Sequence, residues 1–256
     1  GFFILWFGFF AFNGVAEGGI AGPGFEPNNV ARAVVTTGLA GAGALLTSLL
    51  VLKLGFSRPE IKMFGRDLKL FTIFGGVWSI CGAVNGGLSG MVAICAAGFA
   101  VEPWAGFVIG VVAGALYCVL SRVLLFIRVD DPLEASAVHL GGGVWGTLAA
   151  GLFINSNRVA HLPNGAILYA WDGDAFLQFG IQAVGTAVIA AWAFTLAFAL
   201  FVAMRLFGIL RVSAEAEEDG LDFVNGEPAY PVDPALVFTG TGSTKDFSDF
   251  DSDAVQ

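Results

Sequence analysis

The chain is predicted to be all-α, a polytopic membrane protein built as a helical bundle of about six spans. Three observations carry that prediction. Of 256 residues, 56% are hydrophobic and only 13% charged, with a mean hydropathy of +0.78. The apolar residues gather into stretches of about 20, the length a helix needs to cross the hydrocarbon layer of a bilayer. Glycines also recur four apart: Gly82, Gly86 and Gly90; Gly106, Gly110 and Gly114; Gly142 and Gly146, followed by Ala150. That small-xxx-small spacing lets helix backbones close on one another.

The first span is read over Phe2–Ile20. It has no basic n-region and no cleavage site, so it is not a signal peptide. A chain opening at Gly1 without Met reads as a fragment entered in mid-protein. The second span covers Ala33–Leu52, and the third Leu70–Gly90, with Met91–Val101 as a short apolar return. The fourth runs over Pro103–Ile127. The sixth, Phe176–Ile209, is long enough to tilt or to project into water.

The fifth span, Pro132–Phe153, opens on a helix start written in side chains. Asp131 is placed as N-cap, Pro132 at N1 and Glu134 at N3, closing a capping box. His139 then lies roughly 12 Å inside, at about 1.5 Å per residue. Its neighbours at helical spacing, Ala135, Gly142, Gly143 and Gly146, are small. The imidazole is therefore expected on a close-packed face that another helix or a cavity must meet. An ionisable group at that depth is costly, and His139 is read as functional for that reason. Asp131 is explained by capping alone, being too far along the chain to bond His139 directly.

Charge orients the spans. Lys53, Arg58, Lys62, Arg66 and Lys69 follow span two; Arg122 and Arg128 close span four; Arg205 and Arg211 close span six. The opposite loops hold only Arg32 and Arg158. Nine against two places the 53–69 loop, the 128–131 turn and the C-terminal tail in the cytoplasm. The net charge of −9 resides in that tail: residues 1–212 carry 11 Lys/Arg and 10 Asp/Glu, whereas 213–256 carry one Lys and 11 acids. The expected organisation is a membrane domain over 1–212, a cytoplasmic regulatory tail over 213–230 and a disordered acidic tail over 231–256. Cys81, Cys95 and Cys118 lie inside apolar runs as small packing residues, and His161 sits in a polar outer loop. No nucleophile–base pair, metal-ligand cluster or nucleotide loop is recognisable, so no enzyme, cofactor, metal or nucleic-acid partner is expected.

Four stretches in order resemble the ammonium transporter (Amt/Mep) family. They are Gly1-Phe2-Phe3-Ile4-Leu5-Trp6-Phe7-Gly8 leading to Phe12-Asn13-Gly14; Glu102-Pro103-Trp104; Asp130-Asp131-Pro132 through His139 to Trp145-Gly146; and Gly220-Leu221-Asp222 with Gly226-Glu227 and Ala229-Tyr230. The resemblance covers roughly residues 1–230 and implies the sixth to eleventh helices of an eleven-helix fold, that is, the second inverted repeat plus the final long helix. It implies a homotrimer, one pore per subunit, in the bilayer of the plasma membrane. His139 resembles the second of two pore histidines, which relay protons. Phe12, with Phe9 before it, resembles part of the outer aromatic gate, and Asp131 the acid that starts the tenth helix. The implied activity is transport of ammonium or ammonia through an apolar pore, with deprotonation in the outer vestibule. An ammonium sensor, a Rh-like gas channel and a non-conducting fragment are the alternatives.

Three positions depart from the family pattern. Ala16 stands where a serine usually offers its hydroxyl to ammonium, leaving Glu17 as the nearest polar group. Phe9 stands where a Trp is frequent. Phe223-Val224-Asn225 replaces a Thr- and His-bearing tail segment, which argues against a phosphorylation switch there.

Overall fold

The computed structural model describes residues 1–16, 27–54, 61–63, 66–68, 78–155 and 173–219. In chain order these form α1 (Phe2–Val15), α2 (Pro27–Leu54), β1 (Ile61–Met63), β2 (Arg66–Leu68), α3 (Ile80–Ala93), α4 (Pro103–Phe126), α5 (Gly142–Phe153), α6 (Gly173–Leu206) and α7 (Ala214–Asp219). A π-helical turn, Ser136–Gly141, leads directly into α5. The fold is helical, and β1 and β2 add only a small antiparallel pair, with Ile61 opposite Leu68 and Met63 opposite Arg66. That pair falls in the 53–69 segment read from sequence as a plain loop. Among the described residues, α2, α4 and Phe176–Leu206 are long and apolar enough to cross a membrane. The third span is shorter than expected: α3 begins at Ile80, and Leu70 lies outside the described residues.

The chain divides into two compact units, Gly1–Ala190 and Ala191–Gln256. The first is organised on α2. Ala33, Thr36, Thr37, Ala40, Ala44 and Ser48 form its buried side, all small and roughly one turn apart. Two of the glycine stripes close on it. A Cβ at Gly110 or at Gly90 would strike the carbonyl oxygen of Ala40, and one at Gly114 would strike that of Ala44. Backbones that near cannot admit even a methyl group, so glycine is required there by space rather than by conformation. The third stripe turns to α3: a Cβ at Gly142 would lie 2.8 Å from the Ser89 carbonyl oxygen, and one at Gly146 would strike that of Ala93. Beyond α3 the chain turns through Val101, burying Ile94, Ala97, Ala100 and Val101. The Thr36 hydroxyl donates to the Gly98 carbonyl at 2.7 Å and ties this return to α2.

The two ends of the bundle differ in charge chemistry. At one end Arg32 pairs with Glu102 at 3.1 Å, and Asn155 donates to the same carboxylate at 3.4 Å, joining the starts of α2 and α4 to the end of α5. At the other, the Lys53 ammonium lies 5.2 Å from the centre of the Trp78 ring, a cation–π contact of the kind favoured at a membrane surface.

In the second unit the helical residues beyond Ala190 leave Trp192, Phe194 and Phe198 exposed. A helix so apolar with no buried side is matched to lipid or to a protein partner, not to water. Gly208, at φ +70°, breaks the helix. Arg211 then holds Glu217 by two hydrogen bonds of 2.7 and 2.6 Å, which keep that exposed carboxyl below the usual carboxylate range.

Candidate functional site

α1, the end of α3 and the segment from the π-helical turn into α5 line an open cavity of about 770 Å³, onto which His139 is exposed, not close-packed as its small neighbours suggested. Its wall includes Phe9, Phe12, Ala16, Cys95, His139 and Thr147. The residues singled out from sequence on α1 and on the fifth span therefore share one space. Asp131 lies outside it.

The α1 side is fixed by Asn13. This side chain is 3% exposed, and its amide donates to Thr37 Oγ1 at 3.0 Å and to the Met91 carbonyl at 3.3 Å. Those bonds hold the turn that carries Phe12 against both α2 and α3. Phe12 itself is 62% exposed and meets Phe9 edge-on, with ring centres 6.2 Å apart. Cys95, donating to the Met91 carbonyl at 3.2 Å, and Thr147, bonded to Thr186 at 2.7 Å, are the other polar groups of the wall.

His139 lines the cavity from within an irregular stretch of helix, the π-helical turn Ser136–Gly141. A π-helical turn holds one residue more than the α path it replaces, and such turns recur at functional sites. The small neighbours expected around His139, Ala135, Gly142, Gly143 and Gly146, divide between two surfaces. Gly142 and Gly146 pack on α3, whereas a Cβ at Gly143 would meet nothing within 4 Å. His139, Gly143 and Thr147, four residues apart, make the cavity line instead.

The capping box is also corrected. Asp131 accepts from the backbone N–H of Ala135 at 2.9 Å and of Ser136 at 2.8 Å, so the helix starts a turn later than the sequence suggested. Glu134 is not at N3 of that helix and does not reach back to Asp131. Its backbone is left-handed, at φ 58°, a conformation costing a residue with a side chain on the order of 1–3 kcal/mol. Its carboxylate turns toward other helices, accepting from Ser121 at 2.5 Å, from Asn85 at 2.9 Å and from Tyr117. Downstream, the Trp145 indole donates to the Ile109 carbonyl at 2.9 Å and fixes α5 on α4.

Cys95 was read from sequence only as a packing residue, and Thr147 and the Glu134 network are absent from that reading. A lone hydroxyl or thiol inside an apolar run has no periodicity to mark it. The i+8 spacing of Thr147 from His139 was the available signal. Glu17, His161, Asp222 and Tyr230 lie outside the described residues.

Chemically, this is an open apolar cavity with two phenylalanine rings and one imidazole among its described lining residues. It suits a small species that can be neutral inside and charged outside.

Comparison with known proteins gives the same direction. Residues 69–230 match the Ammonium Transporter Family. The Caenorhabditis elegans protein named putative ammonium transporter 1 is 37% identical over 238 residues, covering 91% of this chain and 41% of that protein. Ammonium transporter 3 of Dictyostelium discoideum is 32% identical, covering 91% and 50%. Among solved structures, Saccharomyces cerevisiae Mep2 aligns with a TM-score of 0.66 at 26% identity, covering 84% of this chain and 43% of Mep2. A protein titled Sensor Amt Protein aligns at 0.68 and 27%, covering 87% and 47%. The chain thus spans about half the length of the curated relatives it matches.

Proposed function

Since the chain belongs to the ammonium transporter family, we propose that it supplies half of a conduit for ammonium and ammonia, the half that bears His139 as proton relay and Phe12, backed by Phe9, as part of the outer gate. The observation that carries the proposal is the single cavity shared by Phe9, Phe12, Ala16 and His139. The remaining wall would come from the part of the protein that its relatives possess and this chain does not span.

The mechanism follows from the cost of charge. A bare cation at mid-membrane faces from about 3 to more than 10 kcal/mol, depending on how far water and lipid adapt. Aromatic faces at the mouth offset about 0.5–2 kcal/mol of dehydration by cation–π attraction. Past them, an apolar lumen admits neutral ammonia far more readily than an ion. A neutral imidazole, with one donor and one acceptor nitrogen, passes the proton separately. Potassium and sodium have no proton to shed and are refused. The assembly is a homotrimer in the plasma membrane with its C-terminal tail in the cytoplasm, residues 1–212 forming the membrane domain and 213–230 a regulatory tail.

The test is His139→Ala in the full-length protein, expressed in a host lacking ammonium uptake. Ammonium-evoked current and methylammonium uptake are expected to fall or to lose their discrimination against potassium. Unchanged rate together with unchanged potassium rejection removes His139 from the pathway.

A further inference from the structure

We propose that Glu134 is a positioning residue that sets the rotation of the π-helical turn and so holds His139 toward the cavity. The proposal rests on the transport reading above only for its consequence; the geometry is independent of it.

Removing the extra residue of the π-helical turn would rotate one side of the helix relative to the other by about 100°, one residue's worth of α-helix. The downstream side is immobile. Gly142 and Gly146 are pressed on the backbone of Ser89 and Ala93, and Trp145 is bonded to Ile109. Any such rotation therefore falls on the segment carrying His139. Two carboxylates sit at its start. The Asp131 carboxylate accepts from the backbone of that same segment, at Ala135 and Ser136, and its carbonyl from the Glu134 N–H, so it would turn with it. Glu134 alone of the two reaches outward, to Asn85 on α3 and to Tyr117 and Ser121 on α4. Its own carbonyl accepts from Val138 at 3.0 Å, one residue before the histidine. The left-handed backbone at Glu134 bends the chain so that the carboxylate can make those bonds while the helix leaves in its observed direction. Ala137 and Val138, buried with Tyr117 and Cys118, anchor the middle of the segment, so the carboxylate acts on the strained backbone before them: without it that backbone relaxes and carries the imidazole out of the cavity wall.

The experiment reads position directly. In full-length protein freed of native thiols, His139→Cys and Leu140→Cys are made singly, with Glu134 intact or as Glu134→Ala. The rate of labelling by a small lumen-permeant thiol reagent is measured at each. With Glu134 intact, position 139 reacts faster than 140. With Glu134→Ala the ratio is expected to shift by about tenfold toward 140, because Leu140, 55% exposed, lies outside the cavity lining and a turn of about 100° brings it toward the cavity as 139 leaves. Glu134→Gln, whose amide oxygen can accept from Tyr117 while its NH2 donates to the Ser121 hydroxyl, is expected to restore the original ratio. If Glu134→Ala fails to reach the membrane, Tyr117→Phe with Ser121→Ala removes two donors and is expected to produce the same shift. A ratio unmoved in whichever variant is inserted overturns the proposal. Labelling does not depend on flux, so this failure is distinguishable from failure of the transport reading, which His139→Ala reports separately.

Discussion

Ala16 lines the cavity beside Phe12, and its methyl group has nothing to offer an ion shedding water. A hydrogen bond to a charged group contributes about 1.5–3 kcal/mol, but water in an open vestibule replaces much of it. The net difference is about 1 kcal/mol, roughly a factor of five in half-saturating concentration. Ala16→Ser in the full-length protein is therefore expected to lower the half-saturating ammonium concentration several-fold with little change in maximal rate. Uptake measured over a concentration series at low and high salt checks this, and no movement at either salt places the outer site elsewhere. His139 stood out as an ionisable group in an apolar span and Phe9 and Ala16 as departures from the family pattern, whereas Phe12, in a span crowded with Phe, was marked only by its family resemblance. Glu134 was legible only as a false capping box. Its spacing from Asp131 fits one, yet its true partners Ser121, Tyr117 and Asn85 lie 13, 17 and 49 residues away, and no local pattern encodes them.

The helices were legible through composition and spacing, and their packing through glycine. At Gly110 any side chain meets the backbone of Ala40, so α2 and α4 must separate to accommodate it. Overpacking of this kind costs about 1–3 kcal/mol. Gly110→Ala is expected to lower the thermal midpoint of the purified full-length protein. Gly185→Ala, where a Cβ meets nothing within 4 Å, is expected to leave it unchanged or raise it slightly, since glycine inside a helix costs about 0.5–1 kcal/mol relative to alanine. Intrinsic fluorescence during heating in detergent measures both, and equal shifts would remove the close-approach argument. The π-helical turn was not legible. Its sequence, Ser136-Ala137-Val138-His139-Leu140-Gly141, is compatible with an ordinary helix, and the extra residue is imposed by contacts on either side of it.

For the molecule as a whole, the unequal distribution of Lys and Arg predicts sidedness. Ser57→Cys and Ser243→Cys, each introduced after the native thiols are replaced, are expected to resist an impermeant reagent on intact cells and to react once the membrane is opened. Labelling at either position before opening reverses the topology. The ends of the bundle differ, Arg32 with Glu102 at one and Lys53 over Trp78 at the other, and the labelling decides which of them faces the cytoplasm. The shared closeness at Ala40 bears on tempo. One carbonyl is approached by glycines of both α3 and α4, so neither helix can slide or tilt without opening a void or driving atoms together, and close-packed interiors yield little to such strain. Swings of whole helices belong to microseconds and longer, ring flips and rotamer changes to nanoseconds and less. Around Ala40 the two helices are left with the faster class of motion.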